Sequence, residues 1–329
     1  MFKTLSRLAR AAAIGAVITA PGAASAQENP EFFKILSTSP GGLWHTFATQ
    51  LSEKLQQKYP GTTFSNVPGG SQKNQMLVSE GQAQMGLSFT PVSLEAWTGT
   101  AGFDKEHQNV RLIGTFYPAF LHAVARKGAG IESMADLQGK VVSPGKREWS
   151  TAQIAMQILE TKGITEESLA ENGGQMQFLG LKDAANMMQD RRLDAFMYYG
   201  SVPSPLLLQL SEIPGIDIPP YTQEEVDIAM EQLTPKGAYV QMTYPKDPYP
   251  GVAGDFPVPV MWSIFVVSAD LPDEMVYEIT KMIYEDPDLN KFMGGGPSLN
   301  VELATSGLKD GPMLFHDGAI KYLEEKGAW

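Results

Sequence analysis

The apolar residues near the start of the mature chain change period twice. Phe33-Lys34-Ile35-Leu36-Ser37 predicts a short strand, and Ser39-Pro40-Gly41-Gly42 a turn. Leu43, Phe47, Leu51 and Leu55 then recur at every fourth position until Pro60-Gly61, the spacing of a helix with one buried face. Thr62 to Val67 predicts a second strand, Pro68-Gly69-Gly70-Ser71 a turn, Gln72 to Glu80 a short helix, and Gln84 to Ser88 a third strand. Further strands are predicted at Val110 to Phe116, at Leu121 to Arg126 and through Val141-Val142. Gly145 to Ser150 follows as a loop, and Thr151 to Lys162 as a helix with Ile154, Ala155, Ile158 and Leu159 on one face. Proline content rises and the period fades between residues 201 and 259. Pro259 to Ser268 then has the apolar run of a buried strand, and Leu271 to Tyr284 the pattern of a helix. Strands that alternate with helices over this length predict an α/β fold. Leu121 to Arg126 and Val260 to Ser268 are the long extended segments, and they are expected to cross between two lobes.

Composition adds a location. Lys3, Arg7 and Arg10 precede the apolar run Ala11 to Ala20, and Ala24-Ser25-Ala26 follows a Pro21-Gly22 break. That layout predicts a signal peptide over residues 1–26, cleaved on export, and the run is shorter than the roughly 20 residues of a spanning helix. Cleavage would remove three positive charges and take the formal net charge from −12 to −15. So acidic a body argues against nucleic acid and anionic lipid as partners. The chain has no cysteine, which leaves out a lipidated cysteine, disulfides and thiolate metal sites. With 43% hydrophobic and 19% charged residues it is globular in composition.

Three glycine turns precede helices: Gly41-Gly42 before Leu43-Trp44-His45, Gly69-Gly70-Ser71 before Asn74, and Gly145 before Trp149-Ser150-Thr151. Glycine admits a close backbone approach, and the first turn of a helix offers unpaired N–H groups with partial positive charge. A carboxylate or carbonyl fits such a place. Each turn taken singly is equally well read as an ordinary turn capped by Ser71 or Ser150.

These turns carry a family resemblance. Gly41-Gly42-Leu43-Trp44, Gly69-Gly70-Ser71 with Asn74, Phe116-Tyr117-Pro118 leading to His122-Ala123-Val124-Ala125-Arg126-Lys127, Ala135-Asp136-Leu137-Gln138-Gly139-Lys140, Asp194-Ala195-Phe196 and the tail His316 to Gly327 follow in an order that resembles the TAXI solute receptors of TRAP transporters. The resemblance covers nearly the whole mature chain. It implies a periplasmic binding protein fold of type II, with two α/β lobes joined by two hinge strands: lobe 1 of residues 27–118 and 270–329, lobe 2 of residues 119–269. It also implies delivery of a solute to membrane permease subunits driven by an ion gradient, with glutamate, glutamine or 2-oxoglutarate as the ligands associated with the family. One turn departs from the family pattern: Glu148-Trp149-Ser150-Thr151 stands where Gly-Ser-Gly-Thr is common. A monomer without cofactor or bound metal is expected.

The expected binding residues are Gly42 and Trp44, the latter as an aromatic wall, Ser71 and Asn74 as hydrogen-bond donors, and Thr90 at the end of the third strand. From the second lobe come Arg147, suited to grip a ligand carboxylate, Trp149, Ser150 and Thr151, then Tyr198 and Tyr199, of which strand alternation should turn one inward. Arg147 reads alternatively as part of a solvated loop, and the tyrosines as members of a core strand. His45, His107, His122 and His316 lack metal-ligand spacing, and HExxH, GxSxG and phosphate-loop patterns do not occur. Only His45 is expected near the cleft, and Glu166-Glu167 and Glu224-Glu225 are expected on solvated helix surfaces. The chain is therefore expected to be a receptor and not an enzyme. The alternatives are a ligand sensor feeding a signalling partner, or an enzyme on the same two-lobe fold.

Overall fold

A computed structural model describes residues 29–38, 40, 42–147, 149–246, 248–252, 254–291 and 299–329, with Ser150, Thr151, Asn290 and Lys291 described by their backbone alone. The expected signal peptide and Glu148 lie outside the described residues. The first elements are β1 (Phe32–Leu36), α1 (Leu43–Lys58), β2 (Thr63–Val67), α2 (Ser71–Ser79), β3 (Met85–Phe89) and α3 (Thr90–Thr98). β4 (Val110–Arg126) leads to β5 (Val141–Ser143), α4 (Ser150–Glu160), α5 (Glu166–Glu171), β6 (Gln175–Met176), α6 (Leu181–Gln189) and β7 (Ala195–Gly200). The stretch without clear period contains α7 (Pro205–Glu212), β8 (Ile216–Asp217), α8 (Gln223–Gln232) and β9 (Tyr239–Tyr244). β10 (Phe256–Ser268), α9 (Asp273–Glu285), α10 (Pro287–Lys291) and α11 (Asp317–Glu325) complete the chain.

The strands form one sheet in the order β2-β1-β3-β10-β4-β7-β5-β6, with β8 against β4 and β9 against β10. β1, β2 and β3 are parallel, as are β5, β6 and β7, whereas β10 and β4 run antiparallel to their neighbours. The two long strands pair with each other from Val260↔Phe120 to Ser268↔Val110. Residues 263–267 of β10 also pair with β3, and residues 256–261 with β9. β4 in turn pairs with β7 from Phe120 to Ala125. Two groups of parallel strands are thus joined through one antiparallel pair.

Sequence reading breaks β4 into two strands around Pro118, but it is continuous over 17 residues. Proline removes a donor from a ladder and favours bulges, and the β4–β10 register shifts between Ser263 and Ile264 and again between Phe265 and Val266. β4 is nearly all buried because helices cover both faces, so its pattern has no alternation from which its continuity could be read. Phe47 from α1, Phe116 from β4 and Phe265 from β10 stack in this core with ring centroids 4.5–5.3 Å apart.

The strand ends are tied by a buried amide. Asn74 Nδ2 reaches the carbonyls of Leu36 (3.3 Å), Ser37 (3.0 Å) and Leu87 (2.7 Å), and its Oδ1 accepts from the Gly70 N–H at 3.1 Å. A Cβ at position 69 would collide with that Oδ1, which accounts for a glycine there. Because Asn74 is fully buried, Asn74→Ala would strand several backbone groups. The variant is expected to lose about 2–3 kcal/mol of stability, measured by urea unfolding, and a loss under about 0.5 kcal/mol would contradict this account.

Candidate functional site

The starts of α1, α2 and α4 follow turns, as the sequence predicts, and α3, which sequence reading did not predict, follows directly on β3, but the caps of α1, α2 and α4 differ from expectation. Gly42, Gly70 and Trp149 are the N-cap residues of α1, α2 and α4, and none makes a side-chain cap bond. Ser71 and Ser150 are therefore the first helical residues and not caps. Gly145 has a φ of +113°, and a Cβ there would lie 3.3 Å from that of Ala152, so glycine is required for the turn into α4.

Between α1 and the β4–β10 pair lies a cluster of buried aromatic and polar groups. The Trp44 ring packs on Phe89 at 4.7 Å, and Tyr117 faces Ser263 across the ladder. Burial pushes the Tyr117 hydroxyl above the usual phenol range, and the adjoining Trp44 and Ser263 side chains pull it partly back. Trp44 Nε1 and Ser263 Oγ are nevertheless buried without a hydrogen-bond partner in acceptable geometry. Proximity to Tyr117 is thus not a formed hydrogen bond. Buried polar atoms are nearly always paired in folded proteins, and among the described residues Trp44 Nε1 and Ser263 Oγ belong to a small set of buried atoms that are not, which also includes Trp262 Nε1 and the Tyr199 and Tyr221 hydroxyls.

The cluster continues into β7. Tyr198 donates to Ser204 Oγ at 2.6 Å and lies stacked on His122, with centroids 4.7 Å apart. His122 Nε2 meets the Ser201 carbonyl at 3.2 Å and Nδ1 meets the Tyr244 hydroxyl at 2.9 Å. A carbonyl only accepts, so Nε2 carries the proton and Nδ1 accepts from Tyr244. Tyr249 accepts the Ser204 N–H from the other side. Both β7 tyrosines are buried, which corrects the expected one-in, one-out pair: the sheet is covered on both faces, so alternation changes the neighbours and not the exposure. The Tyr199 hydroxyl is buried without a partner.

The other expected residues fall in three groups. Asn74 and Thr90 are engaged by the fold: Asn74 Nδ2 reaches strand-end carbonyls, and Thr90 Oγ1 donates to the Ala238 carbonyl at 2.7 Å and accepts the Trp262 N–H at 3.2 Å. Ser71 is buried at the start of α2 and Trp149 is half-buried at the start of α4. The side chains of Ser150 and Thr151 lie outside the described residues. Arg147 stands in a different setting. It is exposed, reaches both carboxylate oxygens of Glu166 at 2.9 and 3.2 Å and covers the Phe178 ring at 3.5 Å, the solvated-loop alternative to a ligand clamp. Glu166 sits in the first turn of α5, where the helix dipole favours an acid. Glu225 is also more than solvated surface, since it bonds Lys162 at 2.7 Å and accepts from the Thr222 N–H.

Sequence reading did not single out Tyr117, Ser263 and His122, which the structure gathers in this cluster. A polar Trp262-Ser263 pair inside the apolar run Pro259 to Ser268 is the signal that a buried hydroxyl and indole face something polar. A water-sized cavity between α4 and α8, beside the Tyr221 hydroxyl and the Lys162–Glu225 pair, lies apart from this cluster.

Residues 35–327 match the NMT1-like family. The chain belongs to that family. Among solved structures it is similar to the periplasmic binding protein BugD, with 13% identity over 91% of this chain and 98% of that chain and a TM-score of 0.53. Weaker likenesses are to the periplasmic aliphatic sulphonate binding protein SsuA from Escherichia coli (14% identity, 90% and 79% covered, TM-score 0.46) and to Tv2483 bound to L-arginine (11% identity, 80% and 89% covered, TM-score 0.47). The fold is the mixed α/β fold of periplasmic binding proteins: the alternation of elements predicts the α/β class, and the family resemblance implies the binding-protein fold.

Burial lowers the His122 pKa from 6.5 to about 4, against the smaller upward pull of the Gly200 and Ser201 backbone. The unfolded chain therefore binds a proton that the folded chain refuses as pH falls from about 6.5 to about 4, and stability is lost across that window, by up to about 3 kcal/mol. His122→Gln is expected to flatten this part of the stability profile relative to the parent, measured by urea unfolding at pH 7.5 and pH 5. Parallel profiles for the two proteins would contradict the assignment.

Proposed function

We propose that this protein is a periplasmic solute receptor that takes one small organic carboxylate between two lobes and hands it to a membrane permease of the ion-gradient-driven TRAP type. In this reading lobe 1 comprises residues 27–118 and 270–329, lobe 2 comprises residues 119–269, and β4 and β10 are the hinge. The observation that carries it is the pair of orphaned buried donors, Trp44 Nε1 and Ser263 Oγ, beside the Tyr117 hydroxyl. A buried donor without an acceptor costs roughly 1–3 kcal/mol, so closing the lobes over these atoms is favoured when a ligand brings the acceptor. A carboxylate does so, and the free amides at the starts of α1 and α2 add partial positive charge. Binding and closure are then one equilibrium. Trp149, at the start of α4, supplies an apolar wall from the second lobe. The ordered resemblance of the glycine turns and of Phe116-Tyr117-Pro118 to TAXI receptors supports TRAP delivery.

Native mass spectrometry of the purified mature chain is expected to find a small acid bound and chemically unchanged. Adding the released compound back should shrink the radius of gyration measured by X-ray scattering. Turnover of the compound, or an unchanged radius at saturation, would overturn this reading.

A further inference from the structure

We propose that the two lobes pivot at Trp262 and that the Thr90 hydroxyl is the pin of this hinge. The proposal rests on the two-lobe reading above and locates where such a molecule bends. Val260 and Met261 pair with β4 on one edge of β10 and with β9 on the other, whereas residues 263–267 pair with β4 and with β3. β9 and β3 therefore lie end to end on the same edge of β10, both antiparallel to it.

The last β9 pairing is Met261↔Tyr239 and the first β3 pairing is Ser263↔Phe89, which leaves Trp262 between them. By register, two residues fall opposite Trp262: Ala238, just before β9, and Thr90, just after β3 and first in α3. Only one residue can complete an antiparallel pair with Trp262 on that edge, so a backbone pairing cannot serve both strands here. A side chain does. Thr90 Oγ1 accepts the Trp262 N–H at 3.2 Å and donates to the Ala238 carbonyl at 2.7 Å, and all three residues are buried. In the reading above Thr90 belongs to lobe 1 and Ala238 to lobe 2, which makes this hydroxyl a bridge between them.

The other edge of β10 is interrupted at nearly the same place. Its register with β4 shifts between Ser263 and Ile264, and a bulge bends a strand and raises its local twist. β9 and β3, by contrast, each pair with β10 without a break. Hinges are formed by a few residues at the ends of elements, which absorb the backbone change while the elements stay rigid. Thr90 and Ala238 stand at such ends. A hydroxyl whose hydrogen rotates to suit its acceptor holds its partners over a wider range of angles than a backbone pair does.

Because the chain has no cysteine, Gln57→Cys on α1 and Glu167→Cys on α5, both exposed, place one spin label on each lobe without competing sites. Pulsed paramagnetic resonance of the labelled mature chain is expected to show an interlobe distance distribution at least about 1.5 times as wide in Thr90→Val as in the parent, and the parent width in Thr90→Ser. Thr280→Val should also keep the parent width, since it loses an equally buried threonine hydroxyl, bonded to the Val276 carbonyl within α9. In the unsubstituted chain the Trp262 amide is expected to exchange its hydrogen at least about tenfold faster than those of Val260 and Ile264, a comparison independent of how Thr90→Val folds. An unchanged width in Thr90→Val, equal widening in Thr280→Val, or equally slow exchange at Trp262 would overturn the pin. The receptor would stand in those cases if the parent distance shortens on adding back the compound released from the purified protein. A parent distance that ignores this compound, beside a widened Thr90→Val, would overturn the receptor and leave the hinge; no response to either change would overturn both.

Discussion

The antiparallel pairing of β4 with β10 is the constraint on which the rest of the molecule depends. Each of these strands is long enough to belong to two neighbourhoods: β10 meets β3 with one end and β9 with the other, while β4 meets β7 and β8 beyond the point where it leaves the pairing with β10. A ladder of main-chain hydrogen bonds thus carries the whole connection between the two groups of parallel strands. The first of the two register shifts falls next to Pro118, where a missing donor already interrupts the ladder. Tyr117 and Ser263 sit opposite each other at this point, which places the site's polar atoms on the junction itself.

Polar side chains around the junction divide into those the fold consumes and those it leaves. Asn74 and Thr90 hold strand ends and helix starts together through backbone partners, and His122 is fixed between a carbonyl and a tyrosine hydroxyl. Trp44 Nε1, Ser263 Oγ and the Tyr199 hydroxyl are buried to the same degree but unpaired. The difference is one of free energy. A satisfied buried group contributes rigidity, whereas an unsatisfied one raises the free energy of its surroundings until an acceptor arrives.

Electrostatics sharpens that division. An acidic chain with a formal net charge of −12 does not draw anions by its overall field, so recognition must come from local donors. The guanidinium nearest the turn into α4 is neutralised by Glu166, and the local donors that remain are uncharged.

The sequence by itself determined the alternation of strands and helices, the α1 face of Phe47, Leu51 and Leu55, the glycine required at Gly145 and the extended character of both crossing segments. These depend on local period and on backbone sterics, which neighbours along the chain impose. It also singled out Trp44, Tyr198 and Tyr199, aromatic residues beside turns or strand ends. Only the tertiary structure decided that β4 runs unbroken through Pro118, that Asn74 and Thr90 serve the backbone, that Arg147 turns to Glu166, and that Tyr117, Ser263 and His122 gather beside Trp44. Each of those outcomes depends on which distant group occupies the opposite end of a hydrogen bond. Partners 38 residues away, as for Asn74 and Leu36, or 146 away, as for Tyr117 and Ser263, leave no trace in local period.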